Sequence, residues 1–404
     1  MDSYVIVIND IDDVDDALEE LQEEMQRLSL PEKLKKNTIG IVTVRAEAID
    51  SGVCKAVCDA LPFKTAGFSS DSQNVNGEIE MYMMSVMVLT SDVCTFAAGH
   101  TTDIDEVQDA APPVADCYNA LAAELGSPPK LCLMYAPMRL ERFPGEYVDT
   151  VTEIAPGVPV FGAVAAGGET FVDGSEKGIT TIYAGELFSR AVVMVLIAGD
   201  IAPRFLVSTF TKECIKLRDM GTVTKCNKNI ITEINNMPAV QFLKKVGFFW
   251  ANSDAGLNTK ANGGVNNSTL LFDYGDGIDV SRSIAAMTDN DEIVCLGNIV
   301  EGSTFSLAIA TPEMIIQTAG AVMEELQACS SGALLMYSCI GRRSGLLGNQ
   351  KAEFELIRDK LDGCNLNYVA AHVGGEICPA MAVNHESELL NCEHNQTLIA
   401  CVLG

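Results

Sequence analysis

The chain has 404 residues, with 27 Lys+Arg against 55 Asp+Glu and a formal charge of −28. That length suits two domains or three smaller ones, and 48% hydrophobic residues are too many for wholesale disorder. The acidic balance excludes binding to nucleic acid or an anionic membrane by bulk electrostatics.

One Trp and nine Tyr also leave little for a base-stacking surface. The longest apolar run, residues 191–198, is far too short to span a bilayer. No nucleic-acid partner and no membrane insertion are expected. The first residues have no basic n-region followed by an apolar run, so they do not read as a signal peptide. Fourteen scattered cysteines then read as reduced thiols, and the expected location is cytoplasmic.

In chain order, one pattern recurs three times. A first helix carries an apolar stripe at i, i+4, i+7 and i+11 through Val14, Leu18, Leu21 and Met25. Nine acidic residues between Asp10 and Glu24 form its solvated face. A strand follows at 39–44, a helix near 50–60, a second strand into Thr65-Ala-Gly67-Phe-Ser-Ser-Asp71, and a later strand at 86–89. Copy two has the stripe Val114/Tyr118/Leu121/Leu125, a strand at 131–135 and a helix near 146–154. Its second strand ends in Ala163-Val-Ala-Ala-Gly167-Gly168-Glu169, and its later strand is 193–196.

Residues 205–310 read differently. Short β-like runs occur at 205–210, 229–233, 269–273, 292–296 and 304–308, with a helix from Pro238 to Lys245. Stretches near 252–267 and 273–279 read as loops. Copy three follows, with the stripe Ile315/Ala319/Val322/Leu326, a strand at 334–337 and a helix near 350–361. Its second strand ends in Ala370-Ala-His-Val-Gly374-Gly375-Glu376, and its last strand spans 397–403. The expected fold is α/β: mixed parallel and antiparallel sheets with packed helices, built from repeated helix–strand–helix–strand units. The expected halves are 1–204, holding two copies, and 205–404, holding the β-rich insert and the third copy.

Ligands of parallel strand–helix–strand units bind beyond the C-terminal strand ends. There the three copies place Arg45, Arg139 with Arg142, and Arg342 with Arg343. A guanidinium fork matches a carboxylate, a Gly turn exposes backbone N–H groups, and a Glu pairs with an ammonium. The expected pocket sets a ligand carboxylate on Arg342 or Arg343 and an ammonium on Glu376. Gly374 and Gly375 offer backbone, Cys339 and Asn395 line the site, and Arg139 with Glu169 forms the counterpart in copy two. The alternative is that these Arg and Glu side chains pair with one another and tie two loops together.

Leu334-Leu-Met-Tyr-Ser338-Cys339-Ile-Gly341-Arg342, then Gly374-Gly375-Glu376-Ile-Cys-Pro379 and His394-Asn395-Gln-Thr397, resemble the C-terminal half of the FIST family. Ile230-Ile-Thr-Glu-Ile-Asn-Asn-Met-Pro238-Ala239 resembles the entry to that half, and Ile299-Val-Glu301-Gly302 its Glu-Gly turn. Val158-Pro-Val-Phe-Gly162-Ala-Val-Ala-Ala-Gly167-Gly168 resembles the N-terminal half. The resemblance implies an intracellular sensory module that binds a small ligand such as an amino acid and signals through a partner protein, without enzymatic activity or cofactor. It also implies an alternative, a haem-dependent nitric oxide sensor, with His372, His385 and His394 as candidate axial ligands.

A second alternative is an enzyme using Cys339 as nucleophile beside two arginines, with His372 as base. Cys378, His385, Cys392 and His394 lack a zinc-knuckle spacing, and Asp273, Asp276 and Asp279 lack that of a calcium loop. No metal is expected. Phosphate-loop, dinucleotide-turn and nucleophile-elbow motifs are absent.

Overall fold

The structure is a computed structural model that describes residues 1–139, 142–167, 179–208, 221–247, 268–273, 279–309, 311–327, 329, 332–381 and 389–404. Its three long first helices begin and end on local chemistry. Helix Val14–Arg27 starts at Asp13, whose side chain accepts from the N–H groups of Asp15 and Asp16. Helix Ala111–Leu125 has Pro in its first turn and stops at Gly126, with φ at 68°. Helix Pro312–Leu326 is capped by the Thr311 hydroxyl. The stripes of the second and third helices are buried, and that of the first packs on the same kind of apolar cluster.

Three six-stranded sheets share one strand order. At each centre two strands run parallel: Asn37–Val44 with Lys64–Ser69, Leu131–Ala136 with Val160–Val164, and Gly332–Cys339 with Leu366–Val373. Beside the first of each pair lies an antiparallel strand from the same copy, Met84–Ser91, Val193–Ala198 or Leu398–Leu403. Beyond it lie Asp2–Ile8, Thr95–His100 and Arg204–Ser208.

The other flank of each sheet is filled by exchange. The hairpin Gln73–Val75/Glu78–Glu80 of copy one pairs with the third sheet. The hairpin Gly375–Met381/Leu389–His394 of copy three pairs with the second. The hairpin Thr181–Tyr183/Glu186–Phe188 of copy two pairs with the first. The sequence pattern predicts antiparallel neighbours but not this transfer. Nor does the third Gly-rich segment turn: Gly375 already belongs to the outgoing strand, because the chain passes directly from one sheet to the next.

The inner faces of the three sheets enclose one shared apolar core, and helices cover each outer face over a separate cluster. At the centre stand Phe68, Tyr135 and Tyr337, one from each sheet, with Phe161 of the second sheet stacked on Tyr337 at 5.3 Å. The tyrosine hydroxyls lie 3.2 Å apart. Phe68 stacks on Tyr135 at 4.9 Å and meets Tyr337 edge-on at 5.2 Å. The register shows a volume exchange. Tyr135 and Tyr337 stand beside Ala163 and Ala371, whereas copy one has Thr43 beside Phe68.

The 205–310 region forms a second core. Six strands close on themselves: Gly221–Asn227, Thr304–Ile309, Ser268–Asp273, Asp279–Met287, Ile293–Cys295 and Ile230–Ile234, which pairs back with the first. Helix Ala239–Lys245 supplies Val240, Phe242 and Leu243 to this barrel's core. Two of these strands, Gly221–Asn227 and Asp279–Met287, lie outside the β-like runs. The second hides the polar run Ser281-Arg282-Ser283 in the interior, which obscures its pattern.

Removing the central ring in Phe68→Ala is expected to cost about 3–5 kcal/mol. Adding Thr43→Tyr is expected to restore much of that loss, since it installs the Tyr/Ala pair of the other copies. Urea unfolding of the single and double variants checks this, and an additive or worsened double variant contradicts the volume exchange.

Candidate functional site

Where the chain crosses between sheets, three backbone hydrogen bonds form a ring. Asp71 N–H donates to His372 O at 3.0 Å, Gly374 N–H to Val164 O at 2.9 Å, and Ala166 N–H to Ser69 O at 2.8 Å. Ser69, Val164 and His372 occupy matching places in the parallel registers. Positions 71, 166 and 374 are therefore pseudo-equivalent, and the loops carrying the predicted arginines flank them.

The crossing from copy one to copy three is filled. Asp71 is buried and accepts from Arg45 Nη1 at 3.0 Å and from Arg343 Nη1. Arg45 also donates through Nε to Glu47 at 2.8 Å. Beside it, the Ser72 hydroxyl and His372 Nδ1 lie 2.8 Å apart, and the His372 ring stacks on Phe354.

Arg342 is fully buried. Its fork donates to Glu353 Oε1 at 2.9 and 2.6 Å and to Ile315 O at 2.9 Å. Ser338 donates to the other oxygen of Glu353 at 2.5 Å. Of the two guanidinium groups expected to take a ligand carboxylate, Arg342 holds Glu353 and Arg343 holds Asp71, internal acids other than the Gly-segment glutamate.

Glu376 is buried too. Its Oε2 accepts from the Thr397 hydroxyl at 2.6 Å and its backbone N–H at 3.2 Å. Burial pushes its carboxyl up to about 8, so it is largely neutral near pH 7 and a poor ammonium partner. Cys339 lies against this carboxyl, and burial together with Glu376 drives its thiol well up, the reverse of an activated nucleophile.

His394 Nε2 lies 2.9 Å from Cys378 O. Burial holds His394 down at about 4 and His372 well below its ordinary value. Both rings are enclosed and offer no open face to a haem iron. Glu169 and His385 lie outside the described residues. Among the described residues no His/Cys/Asp/Glu group has a metal-binding arrangement.

The crossing from copy three to copy two differs. Gly374 and Gly375 leave a cleft of about 20 Å³ lined by Met138, Arg139, Phe143, Val164, Glu393 and Asn395, among others. This brings together four predicted residues, Arg139, Gly374, Gly375 and Asn395, from two copies. Arg139 donates to Asp105 Oδ2. Glu393 Oε2 accepts from Gly145 N–H at 2.9 Å, at the start of helix Pro144–Ile154. Asn395 Oδ1 accepts from Ser283 N–H at 3.2 Å, and Arg282 donates to Glu393 O at 3.0 Å, so the barrel forms part of the surround.

The residues missed from sequence are Asp71, Asp105, Glu353, Glu393 and Arg282. Asp71 had a signal: Ser-Ser-Asp-Ser stands where copy three has His-Val-Gly-Gly.

Because Glu376 keeps its proton more firmly folded than unfolded, its contribution falls as pH rises from the ordinary Glu value towards 8. Glu376→Gln is thus expected to gain stability relative to the parent across that window, by no more than about 1.4 kcal/mol per pH unit. Above pH 8 the difference should level off. Thermal melts from pH 5 to 9 check this, and a pH-independent difference contradicts it.

Residues 38–237 match the FIST N domain and residues 239–379 the FIST C domain. No curated protein matches the chain. A solved structure of cyanuric acid hydrolase from A. caulinodans aligns over 99% of this chain and 98% of that one, with 7% identity and a TM-score of 0.32. That likeness bears on no residue role. No helix among the described residues is long and apolar enough to cross a membrane. With both domains matched over most of its length, the chain belongs to the FIST family of sensory, signal-transduction domains.

Proposed function

We propose that this protein is a cytoplasmic sensor that binds a small carboxylate, with an amino acid the best fit, in the cleft at Gly374–Gly375. It then signals the bound state through a partner protein. The observation that carries this reading is the convergence there of a cation, a carboxylate and close backbone: Arg139, Glu393 and the two glycines. Arg139 suits the ligand's carboxylate, and Glu393, whose carboxyl burial raises as it does that of Glu376, accepts from its amino group.

The cleft at rest has room for about one water. Met138 occupies the rest: its sulfur lies 3.2 Å from where a Cβ on Gly374 would stand. A flexible thioether gives way readily to an entering ligand. The raised thiol of Cys339 supports binding rather than catalysis. The described cysteines are all free thiols, which supports a reducing compartment.

A thermal-shift panel of amino acids and hydroxy acids tests the reading. At least one is expected to raise the melting temperature by linkage, equivalent to about 2.7 kcal/mol at a hundredfold excess over Kd. Arg139→Gln is expected to abolish that shift. A parent protein indifferent to every carboxylate, or an Arg139→Gln variant that responds as well as the parent, overturns it.

A further inference from the structure

A second cavity, of about 270 Å³, lies at the start of strand Leu366–Val373, away from the crossing at that strand's end. Two copies build it. Copy three gives the last turn of helix Ala352–Leu361, the loop that follows and the first residues of the strand, and copy one gives the hairpin turn Asn76–Gly77. On the first sheet the matching turn, Ala184–Gly185, sits directly on helix Val53–Ala60. A Cβ on Gly185 would stand 2.7 Å from Asp59 Oδ1 and 3.4 Å from Cys58 Cβ. Gly77 rests instead on the stem of Arg358, with Cγ at 3.4 Å from the same point. The loop beside it, Asp362-Gly-Cys-Asn365, is longer than Leu61-Pro-Phe63 and swings out through Gly363, with φ at 76°.

The walls are mostly polar, and they carry both donors and acceptors beyond those the fold uses. Asn76 Oδ1 accepts from Tyr368 N–H at 2.7 Å, which leaves its amide nitrogen over. Asn367 donates to Ser3 O at 2.7 Å, which leaves its amide oxygen over. Among the described residues, the side chains of Asp362 and Asn365 make no hydrogen bond or ion pair. Arg358 bonds Asp359 through Nε at 2.9 Å, with its Nη groups beyond that contact. Leu361 and Leu366 are buried and give the cavity an apolar floor. Asp359 and Asp362 stand at the negative end of the helix against one guanidinium, so an anion is disfavoured here.

We propose that this cavity binds a neutral polyol the size of a monosaccharide. A hydroxyl group donates and accepts at once, which is what a wall of mixed amides and one carboxylate matches. The Asp362 carboxylate accepts from neighbouring hydroxyls, while Asn76, Asn365 and Arg358 donate to their oxygens. The leucine floor meets the C–H face of the ring. The volume lies near the lower end of ligand pockets, roughly 300 Å³, and suits one small hydrophilic molecule. This site goes beyond the sensory reading and is independent of Arg139 and the Gly374 cleft. A bound polyol would fasten the copy-one turn to the helix whose first turn holds Arg342 through Glu353.

Titration calorimetry of the full chain with glucose, galactose, ribose and myo-inositol tests the proposal. At least one is expected to bind saturably, with affinity roughly tenfold or more weaker in Asp362→Ala and in Asn365→Ala. Both side chains are exposed, so each variant is expected to melt where the parent does in the absence of ligand. Arg139→Gln is expected to bind the polyol as the parent does. Thermal melts of the same set separate binding from exclusion: sugars excluded from the surface raise every melting temperature alike, whereas a bound polyol raises only those of the parent and Arg139→Gln. No saturable binding of any of these polyols, or equal binding by the parent and both cavity variants, overturns the inference. A response to glycine or alanine that Asp362→Ala abolishes places a zwitterion here and overturns the polyol assignment. Polyol binding lost only in Arg139→Gln places the polyol at Gly374 and overturns it too.

Discussion

Each parallel strand pair leaves the outer edge of its second strand open, and an open edge is a liability. The hairpin that leaves that strand does not fold back to cover it: the chain crosses to the neighbouring sheet and pairs there. So each copy covers the edge of another, in a closed cycle sealed by the hydrogen bonds of Asp71, Gly374 and Ala166. The shared apolar core follows from this exchange: three sheets bound cyclically at one end must face one another. Residues 1–204 alone would leave the second sheet without the strands Gly375–Met381 and Leu389–His394. The two halves therefore complete one another.

The same geometry explains the electrostatics. Crossing segments carry polar backbone into a dry interior, and buried charges there need partners. The chain has few cations for its acids, yet Arg45, Arg342 and Arg343 are spent inside the protein on Asp71 and Glu353. Losing one member of such a pair leaves an uncompensated charge. These arginines therefore hold the loops at the crossings in place, and the excess acidity is left to surfaces such as helix Val14–Arg27.

The helices and strands of the three copies were legible because each buries one face, and a buried face imposes a period on its own residues. The exchange of hairpins was not, because nothing local to residues 69–73 or 373–376 says which sheet's edge lies ahead. Arg–acid pairing was legible as a possibility. Its partners were not, because Glu353 reaches Arg342 from the next helix and Asp71 reaches Arg343 from another copy. The Ser-Ser-Asp-Ser segment read as a weak form of the Gly-rich pattern. In the structure its Asp71 is bonded to Arg45 and Arg343, while the glycines of copy three line the cleft.

That asymmetry bears on how a sensor of this shape would transmit. A ligand shifts an equilibrium only by binding one arrangement better than another. At the Asp71 crossing the tie between copies one and three is an ion pair that the chain makes with its own residues. At the Gly374 crossing the surround comes from copy two through Arg139 and Phe143, from copy three through Glu393 and Asn395, and from the barrel through Leu296. Asn395 and Glu393 are in turn bonded to barrel residues Ser283 and Arg282. A ligand in this cleft would therefore act where three packed units meet. The barrel keeps its own apolar core and meets this strand through the polar contacts of Arg282 and Ser283, so its link to the cleft runs through Glu393 and Asn395.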